Sequence, residues 1–138
     1  MEKKIVNYLT DNKVLTIATS VNDVPYCANC FYVFDEVQKI FIFLSEDRTR
    51  HIKEALENIS VGGSIQNGIT TVAKIQGIQF TGVFINPTAE QQQQFYKIYY
   101  NRFPFAKVKP APIWGIQINW LKMTDNTLGF GKKTTWER

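Results

Sequence analysis

Apolar residues first recur at helical spacing, then alternate, and the chain changes between these periods several times. Over residues 2–12, Ile5, Leu9 and Tyr8 share one face of a short amphipathic helix that Asp11-Asn12 ends. Val14 to Thr19 is β-branched and apolar and reads as a first strand. Asn22-Asp23, with Pro25 just beyond, marks a turn. Residues 26–34 read as a second strand, and Asp35 to Lys39 as the turn after it. Ile40 to Leu44 is apolar throughout, which predicts a third strand buried on both faces. At 46–59 the period changes: Ile52, Ala55, Leu56 and Ile59 form a helical stripe, with Ser45 or Asp47 available as cap. A strand follows over Ser60 to Gln66, where Gly62-Gly63 allows close approach or a bulge. Asn67-Gly68 is a hairpin signal, and the next strand spans roughly 72–85, with Gly77 and Gly82 letting it bend. Thr88 with Gln91 fits a capping box. The helix it opens carries Phe95, Ile98 and Tyr99 on one side, exposes Gln91–Gln94 and stops before Pro104. Pro110 and Pro112 frame a loop, and Ile113 to Met123 is the last strand.

Six strands and three helices result, with hairpins dominating the first half. Antiparallel strands shed exposed edges by closing. The expected fold class is mainly β with helices (α+β): a six-stranded antiparallel barrel whose ends the helices plug. The strands do not alternate regularly with helices, which argues against a doubly wound parallel sheet.

The chain has 138 residues, one domain by size, and its hydrophobic fraction of 44% supports a core. No apolar run approaches the roughly 20 residues of a membrane helix. The first residues turn polar at once, unlike a signal peptide, so a cytoplasmic location is expected. Sixteen basic and 12 acidic residues give a net charge of +4. That excess suits a phosphorylated small molecule and permits weak nucleic-acid contact.

Cys27 and Cys30 form a C-x-x-C, but three residues apart on a strand they point to opposite faces. No second cysteine pair exists to complete a zinc site, and His51 is the only histidine. No metal centre is expected. The segment Leu44-Ser45-Glu46-Asp47-Arg48-Thr49-Arg50-His51 joins a buried strand to a helix start. Unpaired helix N–H groups, two arginines, a threonine and a histidine there form a phosphate cradle, or else an ordinary solvated first turn. Basic residues in a first turn oppose the helix dipole, which hints at an anionic partner. No G-x-S-x-G, Walker or G-x-G-x-x-G pattern is present. The tail Gly129-Phe130-Gly131-Lys132-Lys133 is either a flexible end or an ordered flap over an anionic ligand, with Trp136 free to stack on a planar ring. Phe130 and Trp136 favour order.

These parts together resemble the pyridoxamine-phosphate-oxidase-like family of FMN-binding split barrels. The resemblance lies in the strand order, the Thr49-Arg50-His51 helix start, the strand Gln76-Gly77-Ile78-Gln79-Phe80-Thr81-Gly82 and the tail Thr124 through Trp136. The tail looks like that of a small bacterial branch of that superfamily. The resemblance implies a homodimer with FMN at the subunit interface. It implies phosphate contacts from Ser45, Thr49, Arg50 and His51, although the family often carries lysine or arginine where His51 falls. It implies that the second strand, about Asn29, Cys30, Phe31 and Tyr32, lies along the flavin ring. Lys132, Lys133 and Trp136 are candidates to reach the site from the tail. The substrate-binding residues of true pyridoxamine-phosphate oxidases have no clear counterpart here.

Three functions are therefore weighed. The first is an FMN-dependent oxidoreductase, in which the cofactor carries the chemistry. The second is a non-catalytic binder of flavin, haem or a related cofactor. A nucleic-acid-binding small barrel is third, since 14% aromatic residues could stack bases, but those in 31–43 lie in apolar strands and read as core.

Overall fold

The computed structural model describes residues 1–138. Seven strands form one antiparallel sheet: β1 (Val14–Val21), β2 (Val24–Asp35), β3 (Ile40–Leu44), β4 (Ser60–Gln66), β5 (Gln76–Ile85), β6 (Ile113–Asp125) and β7 (Lys133–Glu137). Their order is β3-β2-β1-β4-β5-β6-β7, and β3 also pairs with β6, so the first six close into a ring. The helices are α1 (Lys3–Asp11), α2 (Arg50–Glu57) and α3 (Ala89–Arg102). This is the expected α+β split barrel, with one strand more than the sequence predicts. No helix is long and apolar enough to cross a membrane.

The period-two pattern explains the interior. Leu15 and Ile17 of β1, Tyr32 and Phe34 of β2, Phe41 and Phe43 of β3 and Ile78 and Phe80 of β5 meet in the main core. Ile5 and Leu9 of α1 and Ile52 and Ala55 of α2 join that core. Helix α3 instead covers the outer face, where Phe95 and Tyr99 pack on Val33, Ile40 and Ile42. Strand β3 is apolar at every position because its two faces meet these two clusters.

Strand β2 is the element that positions the site. It pairs with β1 from Val24 to Phe31 and with β3 only from Tyr32 to Asp35. Along Val24–Phe31 its second edge has no strand beside it, because the chain after β3 turns away into Ser45 and α2. The barrel is split there.

Several expectations change. Thr49, and neither Ser45 nor Asp47, is the N-cap of α2. The Thr49 N–H and hydroxyl both donate to the Glu46 carbonyl, at 3.2 and 2.8 Å. Helix α2 therefore begins only at Arg50; it ends at Glu57, before Ile59, and Leu56 is exposed on it. Residues 72–74 form a 3-10 turn, and β5 starts only at Gln76. Asn67-Gly68 accordingly begins a longer connection rather than a tight hairpin. The register shift of β5 lies at Thr81/Gly82 and not at Gly77. The Asn22-Asp23 turn stands, with φ of 52° and 63°, and so does the Thr88–Gln91 capping box.

The tail is a strand. Beyond Gln117, β6 has parted from β3 and would leave a bare edge; β7 covers it from Trp120 to Thr124. Trp136 packs against the main core. Arg138 donates from Nε to the Ile118 carbonyl at 2.9 Å, and from Nη2 to those of Gln38 and Lys39 at 3.0 and 3.1 Å.

Candidate functional site

The candidate site lies where the free edge of β2 faces the start of α2. Three groups converge on His51 Nε2: Ser45 Oγ at 2.7 Å, Thr49 Oγ1 at 3.5 Å and Cys30 Sγ at 3.9 Å. The Ser45 carbonyl accepts from Trp114 Nε1 at 2.9 Å, which fixes the loop leaving β3. His51 is half-buried, and that burial lowers its pKa. At neutral pH it offers the site a hydrogen bond and no charge. Burial pushes the Cys30 thiol up to about 12, so it stays protonated and unreactive.

The first turn of α2 has no side-chain cap. Its first internal bond runs from the Lys53 N–H to the Thr49 carbonyl at 3.1 Å, leaving the N–H groups of Arg50, His51 and Ile52 without helical partners. With the Ser45 hydroxyl beside them, these donors suit an anion; the Thr49 hydroxyl, expected to join them, already donates to the Glu46 carbonyl. Arg50 extends the set. Its Nε meets Glu54 Oε2 at 2.6 Å, and its guanidinium lies 4.2 Å from the centre of the Tyr26 ring. The Arg50 hydrogen bond holds the Glu54 carboxyl below its usual range. The cost of a cation in the first turn is thus offset inside α2 by an i, i+4 pair.

Strand alternation divides the β2 candidates. Asn29 and Phe31 face outward: Asn29 accepts from Thr16 Oγ1 at 2.8 Å, and Phe31 is 59% exposed. Cys30 and Tyr32 face the core. Tyr32 is fully buried and donates to the Leu9 carbonyl at 2.7 Å, so its side chain does not line the site. Cys27 is exposed, as expected of the opposite face.

Within one chain the tail stands apart from this cluster. The Ser45 N–H bonds the Pro112 carbonyl at the start of β6, whereas Lys133 pairs with Thr124 near its end. The run between them is about 40 Å at roughly 3.3 Å per residue. Lys132 and Lys133 are exposed. Trp136 is half-buried, packed against the core with Arg138 over its ring. Four residues at the site carry no signal of their own in the sequence pattern: Tyr26, Glu54, Trp114 and Thr19, whose hydroxyl donates to Glu54 Oε1. The i, i+4 spacing of Arg50 and Glu54 was a readable signal for the ion pair.

The fold recurs among solved structures. A heme-binding protein from Mycobacterium smegmatis matches 99% of this chain at a TM-score of 0.79 and 12% identity; this chain spans 59% of it. An FAD-binding protein from Mesorhizobium loti matches 89% of this chain and 94% of its own, at 0.70 and 14%. A putative pyridoxamine 5'-phosphate oxidase from Listeria innocua matches 83% of this chain and 89% of its own, at 0.62 and 15%. At these identities the likeness concerns the fold. No protein-family model matches the chain. At the level of sequence, the UPF0306 protein plu4501 of Photorhabdus laumondii is 43% identical over 134 residues, 97% of this chain and 94% of that protein. YhbP of Escherichia coli, also a UPF0306 protein, is 37% identical over 97% of this chain. The chain belongs to the UPF0306 family.

Proposed function

We propose that the chain binds FMN and serves as a flavin-dependent oxidoreductase for a small molecule, as a cytoplasmic homodimer. One observation carries the reading: a helix start without a side-chain cap, with the Ser45 hydroxyl near it and Arg50 in its first turn, faces the unpaired edge of a barrel strand. The helix N–H groups, Ser45 and Arg50 would take the phosphate, and Thr49 would hold the turn that presents them. The free backbone edge near Asn29 and Phe31 would take the ring. Bound flavin supplies the electron transfer, while the chain holds and orients it. Fold neighbours whose names include an FAD-binding protein and a putative pyridoxamine 5'-phosphate oxidase support a flavin.

Charge supports a second copy. Around the cradle Arg48 and Arg50 stand against Glu46, Asp47 and Glu54, so one chain supplies no net positive charge for a phosphate dianion. Lys132 and Lys133 are too far to help in their own chain and would have to come from a partner.

The heme-binding neighbour keeps a second reading in view: a non-catalytic haem or flavin carrier. The single histidine has its Nε2 occupied by Ser45, and the buried thiol is protonated. Neither is poised as a haem ligand, which favours flavin.

The test is the visible spectrum of the purified protein, before and after FMN addition and desalting. Bands retained near about 370 and 450 nm support the proposal, being those of bound flavin. NADH or NADPH should then bleach them, with recovery in air. A protein that keeps no FMN overturns it. A Soret band with haem, but no flavin retained, moves the function to the carrier reading. Sedimentation velocity should give the mass of two chains.

A further inference from the structure

Thr19 is a buried polar side chain, 2% exposed on the inward face of β1. Its hydroxyl donates to Glu54 Oε1 at 3.0 Å. The other oxygen of that carboxylate takes Arg50 Nε at 2.6 Å, and the Arg50 guanidinium covers the Tyr26 ring. A continuous set of contacts thus runs from the barrel wall to the arginine. It grips the guanidinium at its Nε edge and on one face, and leaves both Nη groups unbonded.

A carboxylate beside a phosphate site is unfavourable on charge alone. Its place here makes sense as geometry. Arginine recognises phosphate through a planar fork, and a fork held in advance loses less rotamer freedom on binding. We infer that Glu54 is a positioning residue for the anion site: it fixes Arg50 so that the Nη edge is presented to the ligand. The inference rests on the cofactor reading above, and it adds a residue that touches no ligand.

Charge and geometry predict opposite results for two substitutions. Glu54→Gln keeps an acceptor for Arg50 Nε and removes the negative charge. Glu54→Ala removes both. Under positioning, Glu54→Gln binds FMN as tightly as the wild type or more so, and Glu54→Ala binds about tenfold more weakly than Glu54→Gln, the weight of one charge-assisted hydrogen bond. If only charge matters, the two variants bind alike. Glu54→Ala should add no further loss to Arg50→Ala, because the carboxylate acts through that side chain.

The experiment is FMN titration by fluorescence quenching of these four variants and the wild type, with thermal melts to confirm folding. The Arg50 Nε–Hε cross-peak is followed by NMR without ligand. It should be sharp in the wild type and Glu54→Gln, and lost in Glu54→Ala. Equal affinities for the two Glu54 variants, or a cross-peak unchanged in Glu54→Ala, overturn the positioning role while the site stands. Arg50→Ala binding FMN like the wild type, with the cross-peak intact in the latter, overturns the site and the inference with it.

Discussion

Gly63 faces the barrel interior opposite Phe80. A Cβ there would lie 2.1 Å from the Thr16 carbonyl oxygen and 2.4 Å from the end of the Phe80 ring. The missing side chain is the space the ring fills. Gly63→Ala should therefore cost about 1–3 kcal/mol, as overpacked cores do, and urea denaturation would show it as a lower midpoint. His51 gives a pH signature. Its pKa in the fold lies below the ordinary 6.5 because burial disfavours its charged form. On acidification the unfolded chain binds the proton first, so stability is complete above about pH 6.5 and declines below it until the folded state also protonates. Replacing His51 with Gln should flatten that decline in melts recorded from pH 7.5 to 5. Arg50→Ala should weaken FMN binding by about tenfold or more, since a charge-assisted contact is worth about 1.5–3 kcal/mol; an unchanged dissociation constant would place the phosphate elsewhere.

Among the elements, α3 and β7 show two ways of ending disorder. Helix α3 is started by a reciprocal cap, in which Thr88 Oγ1 accepts from the Gln91 N–H and Gln91 Oε1 from the Thr88 N–H. Thr88→Ala should cost about 1 kcal/mol, read as a drop in melting temperature. Strand β7 is held by backbone pairing and by Arg138 on three carbonyls. That contrast explains what the sequence could reveal. The cap, the alternating strands and the apolar β3 are local patterns, and they read correctly. Lys133–Glu137 holds a single large apolar residue, Trp136, so its strand character comes from the β6 edge it covers and not from its own composition. The start of α2 departs from its local pattern because the N-cap Thr49 spends its hydroxyl on the Glu46 carbonyl and not on a helix N–H. At the site, the trio Thr49-Arg50-His51 was legible because helix starts advertise themselves. The limit of the free edge at Tyr32 was not, because it depends on where β2 passes to pairing with Phe43 of β3, a long-range fact. Where Lys132 and Lys133 lie depends on which half of β6 the tail meets, a long-range fact that local sequence does not hold.

For the molecule as a whole, the ring is closed by β3 against β6, pairing Leu44 with Ile113 and Ile40 with Gln117. Nothing else in the sheet can take that place. A chain ending at residue 112 should fail to fold and aggregate, whereas one ending at 131 should keep the barrel at reduced stability. Circular dichroism and gel filtration of the two truncations would check this. The closing partners are 69 to 77 residues apart in sequence. At a synthesis rate of roughly 5–20 residues per second, a newly made β3 waits several seconds for β6 to exist. All five of its residues are apolar, and one of its edges is bare throughout. The hazard this protein presents to a cell during its manufacture is set by that delay, and slowing translation between Leu44 and Ile113 would lengthen it.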